Sequence, residues 1–275
     1  MKTSFHPRLA VVVAAAIFLH LNATAIEVDL GTANNFAVLA GATITAANPS
    51  IINGGGVGLS PGTSITGTIA ITPPYTTHVA DGVALQAQND LTTAYNFAAG
   101  LARTATLTGT DLGGLTLTPG VYFFASSAQL TGTLTLDNQG NPDAVFVFQI
   151  GSTLTTASDS KVVTINDGPP DGSHPGISVF WQVASSATLG TTTDFEGNIL
   201  AQASITDNGG STVQGRLLAE TAAVTLNDTT VTAPPAEVIG GNGGGNVPDT
   251  GSTVPLLGSG MVCLLAFRQR FFSAA

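Results

Sequence analysis

Three kinds of short strand recur along this sequence in a fixed order. The first kind is apolar on both sides, as at residues 145–148; the second places one aliphatic residue between small or hydroxyl residues, as at 203–206; the third is mixed, as at 212–214. Side chains alternate across a strand, so each strand has one inward and one outward side. One coil of three strands cannot bury its inward side alone, and neighbouring coils must stack. The order predicts a mainly β solenoid, a β-helix of triangular section.

An antiparallel β-sandwich is the alternative fold. It explains the alternation of side chains equally well, because each strand of a sandwich also has a buried and an exposed side. It explains the fixed order of the three strand types less well, so we prefer the solenoid.

One segment, residues 78–103, does not follow the strand pattern. It is rich in alanine and places Val83, Ala87, Leu91, Ala94 and Ala98 at helical spacing. Pro73-Pro74 precedes it and Gly100 lies near its end, as expected at helix boundaries. Strands of the first kind are apolar on both sides, which is typical of strands that are covered on both faces. We therefore expect this helix to pack along the wall formed by the first strand type.

The outward side of the second strand type is the candidate contact surface, because it carries hydroxyl residues and no charge. The third strand type carries the charged residues Lys161, Asp194 and Glu196 and the polar residue Gln214 on its outward side, which indicates a solvated wall. The candidate site residues are Thr43, Thr45, Ser64, Thr66, Thr131, Thr153, Thr155, Thr188, Ser204, Thr206 and Thr225. Gln129, Gly190 and Ala223 interrupt the same outward positions.

Charge and cysteine content exclude several classes of function. The chain has 7 basic and 17 acidic residues, for a net charge of −10, which disfavours binding to nucleic acid or to anionic membranes. The only cysteine, Cys263, lies in the tail, so the body has no disulfide. His78 and His174 stand alone without metal-ligand spacing. We therefore expect no metal and no cofactor.

Both ends of the chain resemble processing signals. Residues 1–25 combine Lys2 and Arg8 with an apolar run and a small-residue cleavage site, which predicts a secretory signal peptide. A body domain at 26–238 and a glycine-rich linker at 239–246 follow. Residues 247–275 contain a Val-Pro-Asp-Thr-Gly motif, an apolar run and a basic stop, the layout of a sorting signal. This tail resembles the PEP-CTERM class in its VPD-small-G variant, processed by an exosortase; a sortase signal or a short anchor are the alternatives. The predicted localisation is extracellular, either released or attached to the cell surface through the C-terminal signal.

The body resembles the DUF3494 class of ice-binding (antifreeze) proteins from about Asp29 to Pro234. The similarity is carried by the segments at residues 112–122, 130–137, 144–155, 179–183 and 215–219. It implies a discontinuous right-handed β-helix with a long helix beside it and a flat face that adsorbs to ice. The family often carries a Thr-Ala/Gly-x-Thr/Asn pattern on that face, and residues 221–225 and 203–206 come nearest to it here. The loop at 169–175 looks longer than the family usually has.

Three functions compete. The first is ice binding by a monomer, with the threonine-rich face as the site; stiff β-branched side chains would hold methyl and hydroxyl groups in register. The second is an adhesin or matrix protein that binds polysaccharide or another cell, which the few exposed aromatics expected here disfavour. The third is a polysaccharide-cleaving enzyme that uses Asp194 and Glu196 as a carboxylate pair. A solvated polar edge explains that pair better, and no other catalytic motif is present, so we predict a protein without enzymatic activity.

Overall fold

The computed structural model describes residues 28–167 and 178–234, all within one compact unit, Met1–Ala236. In these ranges the chain forms 20 strands, a short 3-10 helix (Gly31–Asn35) and one α-helix, α1 (Gly82–Gly100). The predicted signal peptide, the long loop with His174, and the predicted linker and sorting signal lie outside the described residues.

The strands follow one another around repeated coils. They are β1 (Phe36–Ala40), β2 (Thr43–Asn53), β3 (Gly56–Leu59), β4 (Ser64–Ile71), β5 (Thr77–Val79), β6 (Ala105–Thr106), β7 (Thr116–Leu117), β8 (Gly120–Phe124), β9 (Ala128–Leu130), β10 (Thr133–Asp137), β11 (Phe146–Ile150), β12 (Leu154–Thr156), β13 (Lys161–Ile165), β14 (Val179–Val183), β15 (Ala187–Leu189), β16 (Asp194–Ala201), β17 (Ile205–Asp207), β18 (Thr212–Ala219), β19 (Val224–Leu226) and β20 (Thr230–Thr232).

Every pairing between these strands is parallel. The antiparallel sandwich is therefore excluded for the described residues, and the fold is the mainly β, parallel arrangement that the strand types predicted. Antiparallel partners can be joined by tight hairpins, whereas parallel partners need a long connection. In this fold the remainder of the coil forms the long connection between two parallel partners.

The pairings group the strands into three walls, each made of one strand type. The first wall runs β6-β8-β11-β14-β16-β18-β1-β3-β5. The second wall runs β9-β12-β15-β17-β19-β2-β4. The third wall runs β7-β10-β13-β16-β18-β20-β2-β4. The four long strands β2, β4, β16 and β18 each turn a corner and contribute to two walls.

The order of strands in space differs from their order along the chain. The first strand, β1, pairs with β18 near the end of the described chain, and β2 pairs with both β19 and β20. The N-terminal coils therefore stack on the C-terminal coil. The chain then returns through α1 to the opposite end, where β6 begins the remaining coils. The stacking of coils is thus discontinuous in sequence.

Helix α1 covers the outer side of the first wall, as predicted. Its buried face, which includes Ala87, Leu91 and Ala98, packs in one apolar cluster with Val147 and Leu200 of that wall. Its 19 residues extend about 28 Å at 1.5 Å per residue, against roughly 38 Å for eight gaps of ~4.8 Å between nine stacked strands. One helix thus covers most of the wall, and this burial explains why first-type strands are apolar on both sides.

The ends of α1 lie inside the predicted range of 78–103. The carboxylate of Asp81 accepts hydrogen bonds from the amides of Val83 and Ala84 at 3.0 and 2.8 Å and so caps the N-terminus. His78 is not helical, because it belongs to β5, where its ring contacts the Asp81 carboxylate at 2.8 Å. At the other end the Gln149 amide of β11 donates to the carbonyl oxygens of Ala98 and Leu101, at 2.9 Å each.

The core between the three walls is filled by aliphatic columns and one aromatic column. Along the inner side of the first wall, Phe148 stacks on Tyr122 at 5.6 Å and on Trp181 at 3.9 Å between ring centroids. The Trp181 indole donates to the Glu196 carbonyl oxygen at 3.0 Å. Gly197 has a φ of +118°, and a side chain there would collide with the Trp181 ring. The corner inside β16 therefore requires glycine.

Arg216 joins the N-terminal and C-terminal parts of the solenoid. It is 2% exposed, and its guanidinium donates to the carbonyl oxygens of Asn34 at 3.0 Å and Pro234 at 2.8 Å, and to Asn198 Oδ1 at 3.2 Å. Burial lowers the pKa of Arg216 to about 10, so the group remains protonated at neutral pH. It is a buried cation that is satisfied by neutral oxygens rather than by a carboxylate.

Glu220 lies beside α1 at the end of β18. Unlike the Arg216 guanidinium, its carboxyl is not satisfied, because the buried Oε1 has no hydrogen-bond partner among the described residues. Burial raises the pKa of this carboxyl above its ordinary value of 4.5. The folded state therefore holds the proton more tightly than the unfolded state. The burial penalty on the charged form is absent below pH 4.5 and grows as pH rises through the folded pKa.

We expect Glu220→Gln to stabilise the fold at pH 7, because it removes this penalty at unchanged size. Because Glu220 is only half-buried and water screens its charge, we expect a gain of about 0.5–1 kcal/mol, less than the full cost of an unsatisfied buried group. Thermal melts of both proteins at pH 7 and at pH 3.5 measure the difference, and the gain should vanish at pH 3.5. An equal gain at both pH values would contradict this assignment.

Candidate functional site

Six threonines on successive strands of the second wall stand in register. Their order through β12, β15, β17, β19, β2 and β4 is Thr155, Thr188, Thr206, Thr225, Thr45 and Thr66. We call this set the threonine column. Because the strands are hydrogen-bonded neighbours, the side chains repeat at the strand spacing of ~4.8 Å.

The column faces away from the core. Each threonine is exposed or half-buried, while the neighbours of Thr206, Ile205 and Asp207, are both buried. The hydroxyls of Thr45 and Thr66 contact each other at 3.3 Å. The hydroxyls of the other four threonines make no hydrogen bond to any described residue, so they can bind water. Because threonine is β-branched and stiff at χ1, its methyl and hydroxyl groups hold a fixed arrangement along the wall.

A second column lies two residues before the first on each strand, at about 6.6 Å along the strand direction. We call it the small-residue column, and its members are Ser127, Thr153, Ser186, Ser204, Ala223, Thr43 and Ser64. Its hydroxyls pair between coils: Ser204 donates to Ser186 at 2.9 Å and Thr153 donates to Ser127 at 2.8 Å. These bonds fix the column relative to its neighbours. Together the two columns make a regular two-dimensional array of small side chains.

The array contains ten of the eleven residues that the sequence indicated, and Thr131 lies outside it. Gln129 is the residue of β9 that is in register with Thr155, and Thr131 follows β9 at the corner. In the same way, the outward residue that stands beside Thr188 in the small-residue column is Ser186. Gly190 is not part of the array, because it is buried against the backbone of residue 157. Ser127 and Ser186 were not predicted, because each precedes an inward alanine, Ala128 or Ala187, whereas the sequence pattern centred the outward pair on the next inward residue, a leucine.

One end of the array is charged. Asp111 forms an isolated bridge with Gln129 and so continues the threonine column beyond β9. Burial by itself would raise the pKa of the Asp111 carboxyl, but the amides of Gly113 and Thr131, at 2.7 and 2.9 Å, hold it below its ordinary value. An ionised carboxylate thus marks the end of the column, and the uncharged part runs from Gln129 to β4.

A buried hydrogen-bond network supports the array from behind. Asp207 of β17 points inward and is 1% exposed. Its carboxylate accepts hydrogen bonds from the hydroxyls of Ser211 at 2.5 Å and Thr229 at 2.6 Å. The Thr229 amide in turn donates to Ser50 at 3.1 Å. These contacts join three consecutive coils at the corner between the second and third walls, which keeps the positions of Thr206 and Thr225 fixed relative to each other.

The third wall carries Asp194 and Glu196, the candidate carboxylate pair of an enzyme. Asp194 forms an ion pair with Lys161 of the neighbouring strand. Glu196 is half-buried, and burial raises the pKa of its carboxyl although the Thr164 hydroxyl, at 3.1 Å, donates to it. Each carboxylate thus has a structural partner.

Within residues 28–167 and 178–234, no three His, Cys, Asp or Glu side chains are grouped so that they could hold a metal ion. The same residues contain no helix with the length and hydrophobicity of a membrane span.

The chain is similar to known proteins over most of its length. The sequence profile of the family described as "Ice-binding-like" matches residues 38–232. The "Ice-binding protein" of Nostoc sp. (strain HG1) is 50% identical over 270 residues, which cover 96% of this chain and 94% of that protein. The "Ice-binding protein" of a Colwellia species is 38% identical and covers 75% of this chain and 84% of its own length.

Solved structures of ice-binding proteins share the fold. The crystal structure of an ice-binding protein from an Antarctic biological consortium matches with a TM-score of 0.70 and 43% identity, over 76% of this chain and 92% of that one. The structure from the Antarctic ascomycete Antarctomyces psychrotrophicus matches with a TM-score of 0.68 and 40% identity, over 74% of this chain and 97% of that one.

Proposed function

This chain belongs to the ice-binding-like family, and we propose that it adsorbs to ice through the array of small side chains on its second wall. The observation that carries the choice of surface is the threonine column, in which six threonines repeat without interruption on neighbouring strands. The first wall is covered by α1 and the third carries the Lys161–Asp194 ion pair.

The chemistry of the column suits a solid made of water. Ice offers neither charge nor a pocket, so a protein can bind it only by matching a periodic lattice over a rigid area. The threonine methyl groups border ordered water, and the hydroxyls that have no protein partner hydrogen-bond to it. Charged side chains would instead hold water in arrangements that ice does not share. The absence of charge between Gln129 and Thr66 on this wall therefore favours ice contact.

The remaining features of the proposal follow from the sequence. We propose a secreted or cell-surface protein whose body, residues 26–238, acts as a monomer without enzymatic activity. An exosortase- or sortase-like enzyme would process the tail at 247–275. A right-handed coil and a triangular section belong to the same proposal; the three walls and the related ice-binding structures support them.

Ice activity of the isolated body tests the proposal. Purified residues 26–238 should produce measurable thermal hysteresis and should slow the coarsening of ice grains in a recrystallisation assay. Serum albumin at the same molar concentration is the control for nonspecific effects of protein on ice. A body with native circular dichroism but no more effect than albumin would contradict ice binding, and would leave the adhesin hypothesis as the better explanation of the exposed walls.

A further inference from the structure

The third wall is not uniform along its length. Its outward charges, Asp137, Lys161, Asp194 and Glu196, lie on β10, β13 and β16. From β18 onward the same outward positions are uncharged. Two columns cross β18, β20 and β2 there: Thr212, Thr230 and Ile51 in one, and Gln214, Thr232 and Asn53 in the other. We call these six residues the neutral patch.

The neutral patch resembles the array on the second wall in its chemistry. Four of its six residues are β-branched, and none is charged. Ile51 is 48% exposed, which makes it one of the few large apolar side chains on the surface of the described residues. The two columns repeat at the strand spacing of ~4.8 Å, because Thr212, Thr230 and Ile51 belong to hydrogen-bonded neighbours.

The segment that forms this end of the molecule has no charge at all. Residues 30–80, which contain β1 to β5, include no Asp, Glu, Lys or Arg, although the whole chain carries 17 acidic residues. The second and third walls share the strands β2 and β4 in this segment. The neutral patch is therefore continuous, through these strands, with the Thr45–Thr66 end of the threonine column.

The two surfaces face different directions. Strand β2 changes register between Ala46 and Ser50, at the corner between the walls. Ile44 before the corner and Ile52 after it are both fully buried in the same core. The two halves of β2 thus both point into the core, but from different sides. Their outward surfaces must therefore face different directions, and one flat surface cannot contact both. A flat crystal surface can thus contact one wall or the other, but not both at once.

We infer that the neutral patch is a second ice-contact surface, which lets the protein adsorb in a second orientation. This inference rests on the proposed function and extends it to another wall. A surface without charge, stiff in its side chains and periodic at the strand spacing offers a water lattice the same features as the threonine column. It is smaller than the array on the second wall, and we expect it to contribute the weaker of two modes of adsorption.

Ice-plane affinity on a single crystal tests this inference. Residues 26–238, fused at the C-terminal end to a fluorescent protein, are adsorbed to a hemisphere of single-crystal ice, and the stained planes are recorded. The parent should stain two sets of planes. Thr230→Tyr, at the centre of the neutral patch, should lose one set, while the Thr155→Tyr, Thr206→Tyr double variant should lose the other.

Matched variants separate the patch from general effects. Thr133→Tyr places the same side chain on the third wall but next to Lys161, and it should keep the full pattern of the parent. Ile51→Lys puts a charge into the patch from a side chain that is already half exposed, and it serves if Thr230→Tyr lowers the melting temperature. Size-exclusion chromatography shows whether either variant changes the oligomeric state.

The outcomes distinguish a failure of the neutral patch from a failure of ice binding itself. If the parent stains ice and both patch variants stain the same planes as the parent, the neutral patch is not an ice surface, although the proposed function stands. If the parent is a dimer that Ile51→Lys dissociates, the patch binds a second copy and the inference is also wrong. If the parent stains no plane, the proposed function itself fails and the inference fails with it.

Discussion

Tyrosine at both Thr155 and Thr206 is expected to remove most of the thermal hysteresis and of the recrystallisation inhibition. The two positions belong to the threonine column and are separated by Thr188. A tyrosine ring extends well beyond the neighbouring threonine side chains. It therefore keeps a flat ice surface away from the threonines of the strands on both sides. Since each ~1.4 kcal/mol of lost contact energy is tenfold in an equilibrium constant, the loss of several rungs should lower activity at least roughly tenfold.

The same two assays measure this effect on residues 26–238, with circular dichroism and thermal melts to show that the fold is unchanged. Thr133→Tyr, beside the charged residues of the third wall, is the matched control and should behave as the parent does. Full activity in the double variant would show that ice meets another surface. The family assignment would survive that result, but the threonine column would lose its role.

Arg216→Met is expected to cause the largest loss of stability of any change discussed for this fold. Methionine keeps the apolar stem but leaves the carbonyl oxygens of Asn34 and Pro234 buried without their donor. The expected loss is about 2–4 kcal/mol for these unsatisfied groups, part of which is offset because no cation is buried any longer. For a domain of this size that corresponds to a melting temperature lower by roughly 5–15 °C.

Arg103→Met provides the comparison, because Arg103 is exposed and lies over the Phe123 ring at 3.2 Å from its centroid. An exposed contact of this kind contributes about 0.5–1 kcal/mol. Differential scanning calorimetry of both variants against the parent separates the two sites. Equal losses of melting temperature would mean that Arg216 does not join the two parts of the solenoid in the way described.

Much of the fold could be predicted because the three walls have different burial. A strand such as β11 is covered by the core on one side and by α1 on the other, so it is buried throughout and apolar except for Gln149, whose amide bonds to the end of α1. A strand such as β19 is covered on one side only, and its sequence, Val-Thr-Leu, alternates between apolar and polar residues. The Ala-rich helix and the apolar wall each needed a partner, which predicted their packing. The order in which coils stack is not encoded in this pattern, because any coil with aliphatic inward residues can stack on any other.

The site was harder to place, because a shift of two residues along a strand preserves the alternation of inward and outward side chains. Ala128 and Leu130 of β9 both point inward, but Ala128 is the one in register with Leu154, so the outward residues next to Thr153 and Thr155 are Ser127 and Gln129 rather than Gln129 and Thr131. Alanine can occupy an inward position without a sequence signal that sets it apart from an outward one. The neutral patch could not be predicted for another reason: Lys161, Asp194 and Glu196 indicate a charged wall, and the sequence does not show where along the wall the charges end.

The docking of the first strands on the last ones has a consequence for how the molecule is assembled. The amide of Thr229 and the hydroxyl of Ser50 that meet there are 179 residues apart in the chain. Strands β1 to β5 leave the ribosome first, yet one side of their stack has no partner until β18 to β20 have been made. Contacts of such long range slow folding, because the intervening loop must close before they form. Three of the six residues of the threonine column, Thr225, Thr45 and Thr66, can therefore come together only when the end of the body has been synthesised. A chain that stops short of β18 would carry its first strands as an unpaired edge.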